Sequence, residues 1–273
     1  MTLLTTVFVT LFGLAFGSFL NVCISRLPQH KSIVTPRSRC AHCATFIRAS
    51  DNVPLLSWIL LRGRCRTCRA AISLRYPLVE AALPALWIAS YFAFGWTTAS
   101  AGTAVLCFLL LGLAVMDAET MRLPDAFTLP GMVLGVVFAF VYPQGWASAI
   151  SPPSSWHAVG ASVASAVLAG GLILFIRWFY QTIRGREGMG LGDAKLLAMI
   201  AAWMGIQRAL LVFFLAVVTA ALVGISGLMV RHSPHSREAW LEDRLPLGAF
   251  LACAALYAIF LGRSTIRWYT NFF

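Results

Sequence analysis

The sequence is short of charge, and above all of acid. Only 10 of its 273 residues are Asp or Glu, and charged residues of both signs make up 11%, where soluble chains average about 25%. Hydrophobic residues reach 59%, against roughly 45–50% in soluble chains. Such a chain has too little polar surface to cover a water-facing globule, which excludes an ordinary soluble domain. The bilayer is its solvent. No Lys or Arg precedes the first apolar run, and that run continues past the usual length of a signal's apolar region. It is therefore expected to be a retained helix and not a removed signal. No glycine-rich segment follows a strand, so no glycine-rich soluble nucleotide fold is visible either.

What the chain does have is apolar runs of membrane-crossing length, about 20 residues each. Helices are expected near Leu3–Ser25, Pro77–Gly95, Ala99–Met116, Phe127–Tyr142, His157–Ile176, Ala194–Gly205, Ala209–Val230 and Leu247–Leu261. The sixth is short, because Gly205 and Gln207 interrupt it. It is expected to lie sunk in the bundle, where irregular backbone is tolerated; seven spans is the alternative count. The expected fold is an all-α polytopic membrane protein of about eight transmembrane helices. Its parts are a first helix (1–25), a basic cytoplasmic loop (26–76) and a helical bundle (77–273).

Orientation follows from the basic residues. The net charge is +11, and ten Lys/Arg fall between Arg26 and Tyr76 against one acid, Asp51. Positive loops stay in the cytoplasm. With that loop fixed inside, Arg122, Arg177, Arg184, Arg186, Lys195, Arg231, Arg237 and Arg244 fall inside too, and only Arg208, Arg263 and Arg267 fall outside. The uncharged Pro143–Trp156 loop lands outside, as the rule requires. Every acid lands at or near the cytoplasmic side. The basic loop is thus read as lying on anionic lipid headgroups, and nucleic acid is not expected as a partner.

Seven cysteines divide into two sets. Cys23, Cys107 and Cys253 sit singly in apolar helices and are read as small hydrophobes. Cys40-Ala-His-Cys43 and Cys65-Arg-Thr-Cys68 form two C-x-x-C knuckles with 21 residues between them, close to the spacing of a four-thiolate zinc ribbon. Each pair reaches one tetrahedral metal from a tight turn. A cytoplasmic loop is kept reduced, which favours zinc over disulfides. His42 is read as a bystander to the four thiolates.

Two carboxylates stand at helix ends, where they are costly and mark function. Asp117 closes the third apolar run and is followed by Pro124-Asp125; Asp193 closes Gly188-Met-Gly190-Leu-Gly192-Asp193. The third helix runs inward and the sixth starts outward, so these residues, 76 apart, can meet at one depth. Two carboxyls sharing a site cannot both ionise, so one activates water while its protonated partner polarises a carbonyl. Gly188, Gly190 and Gly192 are expected to free the backbone for positive φ and to let an extended substrate lie close. Glu119 and Asp125 are rival acids, Asp125 being read as the N-cap of the next helix. Lys195 is read as snorkelling to the interface.

Taken together, these motifs resemble the bacterial type IV prepilin peptidases, the bifunctional leader peptidase and N-methyltransferase family of GxGD-type aspartyl proteases. The resemblance covers nearly the whole chain. It runs through Gly17–Pro28, Pro36–Cys43, Asn52–Trp58, Leu61–Cys68, Ile72–Glu80, the Asp117–Asp125 block and Gly188–Leu196. It implies a membrane aspartyl endopeptidase of the bacterial inner membrane, with Asp117 and Asp193 as its catalytic pair. It further implies cleavage of type IV prepilins and type II secretion pseudopilins after a glycine on the cytoplasmic side. Methylation of the new N-terminal residue by S-adenosylmethionine would follow, and Cys40, Cys43, Cys65 and Cys68 would hold zinc. The residues that bind the methyl donor are not placed, beyond Glu80 as a candidate.

Two stretches depart from the family pattern. Gln29–Val34 is shorter than in many members. Leu245-Pro-Leu-Gly-Ala-Phe250 has alanine where a second proline often follows the glycine. Neither is expected to touch the aspartates. A transporter is the rival from another class, but it predicts midplane acids and inverted repeats. A zinc-bearing membrane scaffold would be indifferent to loss of both aspartates.

Overall fold

The structure is a computed structural model that describes residues 3–146, 154–185, 189–230 and 245–271. Among the described residues it is helical, with two isolated β-bridges and no strand. The helices are α1 (Leu3–Arg26), the short α2 (Leu56–Leu60), α3 (Arg75–Phe94), α4 (Thr98–Thr120), α5 (Asp125–Val141), α6 (Ser155–Arg184), α7 (Leu191–Met204), α8 (Ile206–Val230) and α9 (Leu247–Thr270). Each expected apolar run is a helix, since in lipid every backbone N–H and C=O must be paired within its own segment. Five are long and apolar enough to cross a membrane, namely α1, α3, α4, α6 and α8. The apolar stretches in α5 and α9 are shorter. The chain is a multi-pass membrane protein.

The chain forms two compact units, Met1–Gly112 and Leu113–Phe273. In the first, α1 lies directly on α3. Gly13 and Gly17, one turn apart, make that approach possible. A Cβ at Gly13 would come within 2.7 Å of Pro84 Cα, and one at Gly17 within 2.9 Å of Glu80 Cα. Small residues four apart let helix backbones touch in lipid, where packing replaces the hydrophobic drive. Replacing Gly17 by leucine should therefore overpack the seam by about 1–3 kcal/mol. A lowered thermal midpoint of the detergent-solubilised protein, with Gly160→Leu unaffected because nothing lies within 4 Å of that glycine, is the expected outcome. Trp87 Nε1 donates to Ala104 O at 2.9 Å and Ser90 Oγ to Ser100 O at 3.1 Å, tying α3 to the first half of α4.

The second unit is built around α7. Its 14 residues span about 21 Å, short of the roughly 30 Å hydrocarbon thickness, and Leu196–Trp203 are all buried. The sunken sixth helix of the sequence reading is this element. It packs on α5, α6, α8 and α9. Its far end is pinned by two side-chain to backbone bonds: Trp203 Nε1 donates to Gly131 O at 2.7 Å and Ser162 Oγ to Ala202 O at 2.8 Å. Gly135 leaves room for the Trp203 ring, which a Cβ there would meet at 2.8 Å.

Candidate active site and cysteine centre

Asp117 lies on the last turn of α4, and its side chain is buried, 5% exposed. The helix runs one turn past the expected end at Met116. It closes where Met121 takes a left-handed backbone (φ 53°) and donates its N–H to Asp117 O at 2.9 Å. Asp193 sits in the first turn of α7 and accepts the Gly190 N–H on Oδ2 at 3.2 Å. Gly190 is the N-cap; Asp193 is three residues further in. The two carboxylates stand within electrostatic reach of each other. Leu123, from the turn between α4 and α5, packs beside both: a Cβ on Gly192 would meet its Cβ at 3.1 Å, and one on Gly248 its Cδ1 at 2.9 Å.

The glycines around Asp193 act differently from their sequence expectation. Gly190 has an ordinary extended backbone (φ −75°), and Gly192 is absent from the positive-φ residues. The reason is that α7 already begins at Leu191, so both take helix-start conformations. Close approach at Gly192 is made by this chain's own Leu123. Gly188 lies outside the described residues.

The rival acids also differ from expectation. The N-cap of α5 is Pro124, and no side chain caps it. Asp125 instead accepts Lys195 Nζ at 2.6 Å. Lys195 therefore does not simply snorkel; it joins the start of α7 to the start of α5. Glu119 is exposed on the final turn of α4.

One element of this site was missed in the sequence. The segment expected to avoid the aspartates reaches Asp117 directly. Ala249 N–H, in the first turn of α9, donates to Asp117 Oδ2 at 2.8 Å, and the Gly248 backbone lies against the same carboxylate. The quoted Pro246-Leu-Gly-Ala249 string was the available signal, a helix start carrying a glycine.

The cysteine loop is assembled by one hydrogen-bond pattern used twice. Cys40 N–H donates to Thr45 O at 3.0 Å and Ala44 N–H to Cys40 O at 3.0 Å. Cys65 N–H donates to Ala70 O at 2.8 Å and Arg69 N–H to Cys65 O at 3.1 Å. Ala44 and Arg69 both turn through positive φ, at 55° and 61°. Each knuckle thus aims two thiols to one side, and the four Sγ atoms lie within 4.8 Å of one another. All four cysteines are free of disulfides. Hydrogen bonds at Thr45 pull the Cys43 thiol down to about 6, whereas Cys68, despite the pull of the Ala70 amide, is pushed up to about 11 by desolvation and its neighbouring thiols. The cluster can hold a metal ion, and His42 is not part of it.

Two anchors hold this loop. Arg66 donates two hydrogen bonds to Asp51, at 2.8 and 2.6 Å, and its guanidinium holds the Asp51 carboxyl below the usual carboxylate range. Glu80, buried on α3, accepts the Leu55 N–H at 2.8 Å. Its carboxylate fixes the loop to the helix.

Comparison with known proteins identifies both parts. Residues 11–94 match the bacterial peptidase A24 N-terminal domain, and residues 104–225 match the type IV leader peptidase family. A prepilin leader peptidase/N-methyltransferase of Aeromonas hydrophila is 38% identical, over 97% of this chain and 93% of that protein. The chain belongs to the type IV leader peptidase family. Relatives with the same description in Burkholderia pseudomallei (strain 1026b) and Pseudomonas putida are 36% and 33% identical, each over 93% of this chain and over 85% and 89% of their own length. No solved structure matches. For a type IV leader peptidase, the two matched regions divide the chemistry seen here: the cysteine centre falls in the first, and Asp117 and Asp193 in the second.

Proposed function

We propose that this chain is a prepilin leader peptidase and N-methyltransferase whose cleavage is carried out by Asp117 and Asp193. What supports the assignment of the pair is one observation. Two acids from separate helices lie within electrostatic reach beside Leu123, at helix ends stripped of side chains at Gly190, Gly192 and Gly248. Two carboxyls that close share a proton. The ionised one draws a proton from water, while the protonated one hydrogen-bonds the scissile carbonyl and then supplies the proton the leaving amine needs.

The substrates in this reading are type IV prepilins and type II secretion pseudopilins, cut after glycine at the cytoplasmic face of the inner membrane. S-adenosylmethionine serves as methyl donor for the new terminus. Among the described residues there is no strand–turn–helix cradle for a nucleotide. The metal proposed for Cys40, Cys43, Cys65 and Cys68 is zinc. Tetrahedral thiolates about 2.3 Å from zinc stand about 3.8 Å apart, and the Cys40 and Cys68 sulfurs are 3.8 Å apart. Zinc there would link the knuckles and stabilise the loop, with no part in the cut.

The test is direct. The full chain in detergent, given a prepilin and S-adenosylmethionine, should yield by mass spectrometry a pilin without its leader and one methyl group heavier. An uncut prepilin under conditions in which the protein remains folded would overturn the reading.

A further inference from the structure

We infer that the first turn of α9 is a third component of the catalytic centre, with Gly248 as a positioning residue for Asp117; this rests on the dyad reading above. Asp117 is buried, and a buried carboxylate needs its oxygens paired. The pairing seen is with a main-chain amide, the Ala249 N–H on Oδ2 at 2.8 Å, beside Gly248. An amide in a helical first turn has no partner within its own helix, so it is free to point at the carboxylate. It is also fixed by the helix, which orients Asp117 before substrate arrives. Pro246 sets this turn: its carbonyl accepts the Ala249 N–H at 3.1 Å, so that one amide is shared between the carbonyl and Asp117.

This arrangement requires glycine at 248. A Cβ there would sit 2.8 Å from Asp117 Oδ2, 2.9 Å from its Cγ and 2.9 Å from Leu123 Cδ1. The Leu123 contact is the end of a flexible side chain and can give way. The Asp117 contact cannot be relieved without moving the carboxylate off the Ala249 amide that holds it. Position 248 thereby governs where one reacting group stands, although Gly248 itself contributes no chemistry.

The experiment uses the full-length protein in detergent and two readouts, leader cleavage of a prepilin and methylation of an already cut pilin with labelled S-adenosylmethionine. Gly248→Ala should lower kcat for cleavage by about 10²-fold, the cost of displacing a catalytic group by roughly an ångström. KM and methylation should stay at wild-type values. The double variant Gly248→Ala/Leu123→Ala should remain as slow, because it relieves only the contact that does not matter. Recovery of kcat in that double variant would reduce Gly248 to a packing residue and overturn the proposal. Joint loss of cleavage and methylation would make it a folding residue, with the same result. Asp117→Asn separates the two readings. If it is inactive while Gly248→Ala cuts normally, only the positioning role falls; if Asp117→Asn itself cuts normally, the dyad falls.

Discussion

Asp117→Asn is expected to lose leader cleavage by about 10³-fold or more, as removal of a general acid or base does, while the protein still inserts and still methylates a pilin that has already been cut. Asparagine keeps the shape of the side chain and can still accept the Ala249 N–H seen at 2.8 Å. What it cannot do is exchange a proton. Asp193→Asn should behave alike, since a shared proton needs both carboxyls. The double variant should be little worse than either single one, because groups that act as a unit are not additive. The measurement is a steady-state cleavage rate on a prepilin beside the methylation rate of each purified variant. Wild-type cutting by either single variant removes the pair from the mechanism.

The second large effect is expected at the metal. Replacing Cys40 and Cys43 by serine should take bound zinc from about one ion per chain to about none, measured by elemental analysis. Structural zinc contributes roughly 10–16 kcal/mol in small thiolate sites. A loop of two knuckles with few apolar residues should therefore melt without it. Methylation should fall further than cleavage, because the cysteines belong to the Met1–Gly112 unit and both aspartates to Leu113–Phe273. Native protein carrying no zinc would overturn the assignment. Equal loss of both activities would overturn the separation.

The helices were legible because a membrane span announces itself: each apolar run must satisfy its own backbone, whatever its neighbours are. The acids were legible for the opposite reason, as costly exceptions within that pattern. Contacts made by main chain left no such trace. The amide of Ala249 reaches Asp117 across more than 130 residues of sequence, and an N–H carries no residue type to read. The Lys195–Asp125 pair was hidden differently. Each partner fitted a local rule on its own, one as a snorkelling lysine and one as a helix cap, and nothing local indicated that they meet. The expectation of positive φ at Gly190 and Gly192 missed that Gly190 is the N-cap of α7 beside Asp193 and that Gly192 packs against Leu123.

The shortness of α7 bears on how the protein is made. A segment of 14 residues that carries Asp193 and Lys195 is a poor candidate for independent insertion by the translocation machinery. Its favourable surroundings are supplied by α5, α6, α8 and α9, two of which are synthesised after it. The half that carries Asp117 and Asp193 is therefore expected to settle only after α8 and α9 have been made. A ribosome paused before α9 would leave Asp117 without the Ala249 amide and α7 without one of its packing partners.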